Sequence, residues 1–432
     1  MRKYLYIAVL SFLAPVASAQ VQVDDYNFGE GITFRKPDGG QLKLDGYIQP
    51  YLEMKQSSNA DEIYNRFRLR RFRVRMSGNS ANERFKYRLQ LDFSGTSEAD
   101  AEQSANNILM DGYVSYDVTD NTTITFGQKA TPTDNLEMSF SSQTLQFPER
   151  SRVTSIFASI REFGLFVDSS YKIPGSDFYI RPAVAVTNGD GQNVFGKDHG
   201  GFKYGARVNF LPFGTFANMG QFREMDMLRE RTPKLMLGAA YSYNNGVSDR
   251  RGSQSGAILY LDAQGNEALP DYQKMGADLL FKYRGFTMVG EYVKGRAFVG
   301  DNITQRVRND GTTTGNFEID GAQNVSDYVK NRMMVGSAYN IQAGYLTTGL
   351  WSFDAGYTHI NADKYSYLNN AAFYDRPNYY TFGVTKYLMR NYAAKVQASF
   401  TYVDAGDLAT DNNGALINGH EWIGRIMFSV GF

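Results

Sequence analysis

The stretch NRFRLRRFRVRM, residues 65–76, carries six arginines in twelve positions and is the part of the sequence best suited to binding anions. A guanidinium group offers forked N–H donors that match the oxygens of phosphate and carboxylate groups. Apolar residues alternate with these arginines, and a β-strand places alternate side chains on opposite faces. The stretch therefore predicts a strand with one cationic, hydrated face and one apolar face.

The alternation breaks at Arg70 and Arg71, where two arginines are adjacent. A β-bulge, which adds one residue to a strand, restores the alternation beyond this point. Without the bulge, the later arginines would face the apolar side, at a cost of roughly 2–4 kcal/mol each in the middle of a bilayer. We therefore predict a bulge here, and a hydrated face that carries Arg66, Arg68, Arg70, Arg71, Arg73 and Arg75.

Basic residues on the polar faces of other segments would extend this cationic wall, namely Lys86, Arg88, Arg181, Lys203, Arg207, Lys274 and Lys282. Rings of cationic side chains favour the passage of anions. Acidic residues on similar faces could instead pair with them and hold a loop in place, namely Asp92, Asp278, Asp354 and Glu291. The sequence leaves both interpretations open, because the chain has 45 basic and 45 acidic residues.

Segments in which apolar and polar residues alternate recur along nearly the whole chain. This pattern is typical of an all-β, transmembrane antiparallel β-barrel. We predict about sixteen strands, at residues 41–55, 64–78, 83–94, 108–119, 121–129, 161–172, 177–187, 201–212, 233–245, 273–283, 285–298, 333–346, 349–361, 376–389, 391–404 and 419–432.

The connections between the predicted strands alternate between short and long. Transmembrane barrels have short periplasmic turns at one end and longer outer loops at the other. The longest outer loops are expected at 130–160, 246–272 and 299–332, and the exception is 213–232, a long segment where a short turn is expected. Sixteen strands leave an aqueous lumen, so the predicted barrel is a pore.

The two ends of the chain support export to a bacterial outer membrane. Residues 1–19 have the basic start, apolar run and small-residue cleavage site of a signal peptide. Residues 20–40 are expected to form a periplasmic lead-in and residues 41–432 the barrel, whose final strand ends in Phe432.

The absence of cysteine excludes disulfides and zinc–thiolate sites, and the balanced charge gives no reason to expect nucleic-acid binding.

We expect no enzyme activity, cofactor or metal site. The three histidines, His199, His359 and His420, lie far apart in the sequence and in no ligand spacing. Two alternatives remain from other classes. An outer-membrane hydrolase would need a catalytic group around His359, and an adhesin or scaffold would use 213–232 and the long loops.

Residues 126–150, FGQKATPTDNLEMSFSSQTLQFPER, resemble a stretch of the phosphate-selective porin O and P family. The segments RLRRFRVRMSG, REFGLFV and WSFDAGYTHI are also similar to that family. The resemblance implies a trimeric, sixteen-stranded porin whose third outer loop folds inward, and passive uptake of phosphate or polyphosphate. Residues that match the motif would shape the constriction, namely Lys129, Glu137, Glu149 and Arg150. The outer loops depart from the family because they lack a dense lysine cluster.

The sequence thus predicts an outer-membrane porin, embedded in lipid as a homotrimer, that lets small solutes diffuse passively with a preference for anions such as phosphate. Its anion contacts are expected at Arg66, Arg68, Arg71, Arg73, Arg75, Arg88, Arg181, Lys203 and Arg207. The alternative is a weakly selective general porin whose arginines fix the constriction loop.

Overall fold

The computed structural model describes residues 21–24, 26–60, 62–95, 108–196, 199–411 and 413–432. Within them, sixteen long strands pair in antiparallel order into one closed sheet. The last strand pairs with the first, with Glu421 opposite Ser57 and Gly431 opposite Tyr47, so the sheet has no free edge. The prediction of a sixteen-stranded, transmembrane antiparallel barrel is confirmed.

The barrel strands are β1 (Gln41–Ser57), β2 (Tyr64–Asn79), β3 (Phe85–Asp92), β4 (Leu109–Thr119), β5 (Thr122–Ala130), β6 (Arg161–Ser169), β7 (Tyr179–Thr187), β8 (Lys203–Leu211), β9 (Lys234–Asn244), β10 (Asp271–Tyr283), β11 (Phe286–Phe298), β12 (Gly336–Leu346), β13 (Trp351–Ala362), β14 (Asn378–Tyr387), β15 (Ala394–Asp404) and β16 (His420–Gly431).

The other elements are short. The α-helices are α1 (Arg152–Phe157) and α2 (Val325–Lys330), and 3-10 turns span Leu136–Ser139, Ser142–Thr144, Ala217–Phe222 and Tyr367–Asn369. Short strands span Gln22–Val23, Ile32–Arg35, Tyr171–Lys172, Tyr260–Leu261, Gln305–Val307, Thr313–Thr314, Glu318–Ile319 and Ala322–Gln323. In the part of the chain that the structure describes, no helix has the length and apolar character needed to cross a membrane.

The alternating sequence explains how the barrel wall is formed. In β13, Trp351 and Phe353 are exposed on the outer face, while Ser352 and Asp354 are buried on the inner face. Because the sheet is closed, every strand satisfies its backbone hydrogen bonds with a neighbour, as a lipid environment requires. The wall is therefore apolar outside and polar inside.

The bulge predicted at Arg70–Arg71 is confirmed. Gln49 of β1 pairs with Arg71 of β2, but the next residue, Pro50, pairs with Leu69, so Arg70 is the extra residue. Proline cannot donate a backbone hydrogen bond, and this makes it suited to the irregular point in the ladder. The consequence is that both adjacent arginines are buried inside the barrel.

An arginine on the outer face is expected to destabilise the barrel according to its depth in the membrane. Phe382 lies near the middle of β14 and is exposed, so Phe382→Arg is expected to lower the free energy of unfolding in lipid by about 2–4 kcal/mol. Phe298, the last residue of β11, is the control, because the same change near the interface costs about 0–1 kcal/mol. Denaturant titration in vesicles measures the free energy of unfolding of both variants. An equal loss of stability at Phe382 and Phe298 would contradict the assignment of Phe382 to the lipid-facing side of β14.

The connections divide between a short-turn end and a long-loop end. The turns between β4 and β5 and between β10 and β11 contain two residues each, 120–121 and 284–285. The strand Ile32–Arg35 pairs with the start of β1 at the short-turn end. The predicted signal peptide lies outside the described residues, so it and the proposed domain bounds stay predictions.

Candidate functional site

The two arginines at the bulge bind one carboxylate of the segment that joins β5 to β6, residues 131–160, called the 131–160 segment below. Arg70 Nε lies 2.5 Å from Glu149 Oε1, and Arg71 Nη2 lies 3.2 Å from Glu149 Oε2. Arg71 also donates to the carbonyl oxygen of Pro148 and to the side chain of Gln49. The bulge therefore allows two neighbouring guanidiniums to hold the same point of the segment.

The ionised form of Glu149 is strongly favoured. Burial alone would raise the pKa of this carboxyl, but the charges of Arg70 and Arg71 outweigh it and lower the pKa to about 2 from an ordinary value of 4.5. A carboxyl whose pKa is lower in the folded state stabilises the protein above its unfolded pKa, and this contribution is lost as the pH falls through the folded pKa.

We expect this ion pair to persist in mild acid. The difference in free energy of unfolding between the unchanged chain and Glu149→Gln should be constant from pH 7 to 5, decrease below about 4.5 and vanish near 2. Unfolding in detergent micelles at a series of pH values measures this difference. A difference that vanished already at pH 5 would show that Glu149 is not held by the two arginines.

A second contact on the same wall joins β1, β2 and the segment. Ser142 Oγ lies 2.7 Å from the hydroxyl of Tyr47, and it accepts a hydrogen bond from Arg73 Nη1 at 2.8 Å. Arg73 also pairs with Asp92 of β3 at 2.8 Å. Arg73 therefore contributes to the support of the segment as well as to the wall.

The strands β8 and β10 hold the segment at another carboxylate, Asp134. The amines of Lys203 and Lys274 lie 2.9 and 2.5 Å from Asp134 Oδ1. Lys203 also pairs with Glu162 at 3.0 Å, and both lysines donate to Ser159 Oγ. Burial opposes ionisation of Asp134, but the two lysines outweigh it and lower the pKa of this carboxyl.

The middle of the segment contacts the strands from β12 to β15. Lys395 Nζ and Gln397 Nε2 of β15 donate to the carbonyl oxygen of Leu145, and Gln146 donates to Asp354 of β13. The wall has glycine beside the ring of Phe147. A Cβ at Gly383 would lie 2.9 Å from that ring, so a larger residue there would displace the segment.

Glu137 and Arg150 maintain the fold of the segment itself. Glu137 accepts hydrogen bonds from the backbone and hydroxyl of Ser151 and from the hydroxyl of Thr154, at the start of α1. Arg150 donates to the carbonyl oxygens of Glu137 and Phe140. Burial raises the pKa of Glu137, although the charge of Arg150 opposes this.

A cavity of about 280 Å³ lies between residues 147–152 of the segment and the barrel wall. Six basic side chains line it, namely Lys55, Arg66, Arg150, Arg152, Arg376 and Arg425. Three acidic side chains line it, namely Glu53, Glu149 and Glu421. The difference, 6 − 3, is an excess of three positive charges, although the whole chain has equal numbers of basic and acidic residues. We call this cavity the chamber.

Each acidic residue of the chamber accepts from two basic residues. Glu53 binds Arg66 at 2.5 Å and Arg425 at 2.7 Å. Glu421 binds Arg376 at 2.8 Å and Lys55 at 3.0 Å, and Glu149 binds the two arginines at the bulge. Arg152 lies over the rings of Tyr374 and Tyr379, each 5.5 Å from the ring centre. Two of the carboxylates, Glu53 and Glu421, thus each leave one positive charge of excess among the lining residues, and Arg150 and Arg152 contribute the remainder.

The predicted anion contacts do not form one continuous row. Arg66 lines the chamber, but Arg75 pairs with Asp45, and Arg88 lies 3.3 Å from Asp111. Arg68 is half-buried and lies opposite Tyr51 in the β1–β2 pairing, and Arg207 pairs with Asp278 at 2.5 Å. Arg181 lies over the ring of Phe222. Lys129 lies on β5, where it pairs with Asp168 at 3.0 Å.

The comparisons with known proteins decide the family. The sequence profile of the phosphate-selective porin O and P family matches residues 52–405, which is most of the chain. The chain belongs to this family. It is therefore a porin of the bacterial outer membrane. A sequence search of curated proteins gives no significant match.

Solved outer-membrane proteins share the fold of this porin. DcaP of Acinetobacter baumannii has 13% identity and a TM-score of 0.51, and the match covers 92% of this chain and 99% of that one. OprB of Pseudomonas putida has 11% identity and a TM-score of 0.50, covering 91% and 94%. A loop-deletion mutant of OmpT from Vibrio cholerae also has 11% identity and a TM-score of 0.50, covering 91% and 99%. Identities this low show a common fold alone.

Sequence reasoning missed several residues of the porin's chamber. Glu421 and Arg425 lie on the polar face of the last strand, but the sequence does not indicate which residues of β1 they pair with. Arg376 lies in a connection, where no periodic pattern marks it. Lys55 and Glu53 alternate with apolar residues near the end of β1, and this was the available signal. These residues of the chamber lie close together only because the last strand pairs with the first in the closed barrel.

The three histidines of the porin lie in separate surroundings. His199 contacts Glu267, His359 contacts Asn378, and His420 stacks on the ring of Tyr402. Among the residues described by the structure, no three His, Cys, Asp or Glu side chains lie close enough together to hold a metal ion.

Proposed function

We propose that the protein is a passive diffusion channel for small anions, in which the 131–160 segment crosses the lumen and narrows it. The contacts of the segment support this geometry. It bonds to Arg70 on β2, to Lys274 on β10, to Gln342 on β12 and to Lys395 on β15, and these strands are distributed around the closed sheet. A segment that binds such separated parts of the wall is best accommodated inside the barrel.

The observation that carries the proposed anion preference is the positive excess of the chamber. Cationic side chains that line a narrow aqueous path lower the energy of an anion and raise that of a cation. The carboxylates do not cancel the charge of the basic residues, because Glu53 and Glu421 each serve two of them. The chamber should therefore concentrate anions at the entrance of the constriction.

The part of the wall beside the charged pairs, on β12 to β15, suits the body of a solute. Neutral polar side chains line that side of the chamber, namely Asn340, Gln342, Thr358, Thr381 and Thr401. Amide and hydroxyl groups exchange hydrogen bonds with water or solute at little cost in free energy. A small anion can thus exchange part of its hydration for the guanidiniums and for these neighbouring neutral groups.

The alternative, a weakly selective porin whose arginines fix the constriction segment, is favoured by the contacts of the buried basic residues. Arg70, Arg71, Lys203 and Lys274 all bind the 131–160 segment directly. They are buried, so a passing solute does not meet them. We propose that the two roles belong to different residues: these four position the segment, and Lys55 and Arg66 belong to the half-exposed pairs that meet the solute.

The block of chloride current by phosphate tests the substrate class. In a planar bilayer with potassium chloride on both sides, phosphate should reduce the single-channel chloride current in proportion to its occupancy of the chamber. Sulfate and acetate serve as comparison anions. A block specific to phosphate would support the phosphate preference, an equal effect of all three anions would support general anion preference, and no effect of any would contradict an anion-binding chamber.

A further inference from the structure

The connection between β8 and β9 is unlike its neighbours at the short-turn end. Residues 213–232 form a compact segment with a 3-10 turn at Ala217–Phe222, whereas the nearby turn 284–285 contains two residues. Phe216, Glu224, Met225 and Asp226 are buried, although connections usually lie on the surface. We call these residues the 213–232 segment.

We propose that the 213–232 segment is a second constriction element, which enters the lumen from the short-turn end, supports the 131–160 segment and presents Arg181 to passing anions. The part that concerns Arg181 rests on the proposed anion channel. The part that concerns narrowing of the lumen holds for any solute.

The barrel wall fixes the segment through its backbone. Lys282 of β10 donates to the carbonyl oxygens of Gly220, Arg223 and Met225, at 2.8, 2.7 and 3.3 Å. The hydroxyl of Tyr392, from the connection between β14 and β15, donates to the same Met225 oxygen at 2.5 Å. A buried amine that binds three carbonyls fixes the path of the chain rather than a single side chain.

A carboxylate ties the later part of the segment to the turn between β10 and β11. Asp226 Oδ2 accepts from the backbone amide of Gly285 at 2.8 Å, and the backbone amide of Asp226 donates to Thr287 Oγ1 at 2.9 Å. Arg229 donates to the carbonyl oxygen of Leu346, at the end of β12. The attachments thus extend from β10 to β12 and to the connection after β14.

The segment also meets the 131–160 segment directly. Phe216 packs in a buried cluster with Leu136, Phe140 and Leu145. Glu224 Oε2 accepts from the backbone amide of Gln146 at 2.5 Å. Since the two segments come from opposite ends of the barrel, contacts between them mean that the lumen is occupied from both sides at this depth.

The carboxyl of Glu224 is buried at this contact, and each of its two oxygens accepts a hydrogen bond. Burial, with the negative charge of Glu137 nearby, raises the pKa of Glu224 to about 8. Its other oxygen accepts from Gln342 Nε2 at 2.6 Å. The contact between the two segments therefore consists of satisfied hydrogen bonds and apolar packing.

Arg181 lies on β7, where the segment borders the barrel wall. Its guanidinium carbon is 4.8 Å from the ring centre of Phe222, and its Nε has no hydrogen-bond partner among the described residues. The nearby Asp168 is bound by Lys129 at 3.0 Å. Stacking on an aromatic ring orients a guanidinium and leaves its N–H donors available, which is the arrangement needed to bind an anion.

Solvent exposure shows where a path remains open. The inner side chains of β2 and β3 are part-exposed, with Arg75 at 19% and Arg88 at 33%. On β10 and β15, Lys282 and Lys395 are each 1% exposed, because the 213–232 segment covers the first and the 131–160 segment the second. The remaining path at the short-turn end therefore follows β2 to β7 and passes Arg181.

Cysteine labelling tests whether the segment lines the conducting path, because the chain has no cysteine of its own. Phe222→Cys in the full chain is treated with a sulfonate-bearing thiol reagent during a single-channel recording. We expect the current to fall about two-fold, because the adduct narrows the path and places a negative charge beside Arg181. Ser176→Cys, exposed in the turn between β6 and β7 at the same end, is the control and should conduct unchanged.

A second variant keeps the test decisive if Phe222→Cys fails to fold. It replaces residues 214–231 by a Gly-Ser linker of equal length. This removes the side chains that attach the segment, namely Phe216, Glu224, Asp226 and Arg229, but retains the chain length. We expect its conductance to rise about two-fold or more. An unchanged conductance here, or no effect of the label on Phe222→Cys, overturns the second constriction. The result for the linker variant does not depend on ion selectivity, so failure of the anion channel would be seen separately in the reversal potential.

Discussion

Replacing Glu149 by glutamine is expected to lower the free energy of unfolding by about 3–5 kcal/mol, the usual cost of removing one partner from a buried ion pair. Glutamine has nearly the same size, but it leaves Arg70 and Arg71 buried without their shared counter-charge. The 131–160 segment then loses its attachment at the bulge. We therefore also expect a larger and noisier single-channel conductance.

Two measurements check this expectation on the same preparation: the unfolding midpoint in detergent micelles and the conductance in a planar bilayer. Glu318→Gln is the matched control, since Glu318 is exposed in a long outer loop and makes no ion pair among those found in the described residues. The control should behave as the unchanged chain does. Equal stability and conductance for Glu149→Gln and its control would show that the segment is not held by this carboxylate.

Replacing Lys55 and Arg66 together by glutamine is expected to remove most of the anion preference while leaving the fold intact. Each shares its carboxylate with a second basic residue, so Glu421 keeps Arg376 and Glu53 keeps Arg425. The chamber would retain four basic and three acidic side chains, an excess of one (4 − 3) instead of three. The permeability ratio of chloride to potassium should fall about three- to ten-fold, corresponding to about 1 kcal/mol.

The control for this variant carries the same change of charge outside the chamber. Arg308 and Lys364 are exposed on the outer loops, and their replacement by glutamine also removes two positive charges. In 1 M salt the Debye length is about 3 Å, so distant surface charges have little effect on selectivity. An equal fall in both double variants would mean that general surface charge, rather than the chamber, sets the preference.

The alternation of residues was sufficient to predict the barrel wall. Each strand must place one parity in lipid and the other in water, and this requirement also predicted the bulge at Arg70 from two adjacent arginines. The turn between β10 and β11 was recognisable because Arg284 and Gly285 stand between two alternating segments. These features depend on residues close together in the chain.

The pairing of the inner charges could not be predicted in the same way. Arg70 and Glu149 are separated by 79 residues, and Lys274 and Asp134 by 140, so their contact depends on barrel closure and on the path of a connection without periodicity. The sequence indicated a row of arginines along β2. In the structure, Arg70, Arg71 and Arg73 bind the 131–160 segment. Arg66 lines the chamber instead, and Arg75 pairs with Asp45.

The 213–232 segment shows the same limit. Its length marked it as an exception among the short turns, which indicated either a periplasmic excursion or an unrecognised element. The decisive interactions are backbone carbonyls bound by Lys282 and two apolar anchors, Phe216 and Met225. Neither leaves a pattern in the sequence, because a carbonyl oxygen is present at every residue.

The most direct test of the central claim is the reversal potential of the unchanged protein in a planar bilayer under a tenfold gradient of potassium chloride. If the chamber prefers anions, the reversal potential of the unchanged protein should have the sign of the chloride equilibrium potential. In the Lys55→Gln, Arg66→Gln double variant the reversal potential should approach zero. A potential near zero or of the cation sign in the unchanged protein would contradict the anion channel, and would favour a general porin whose arginines hold the constriction segment.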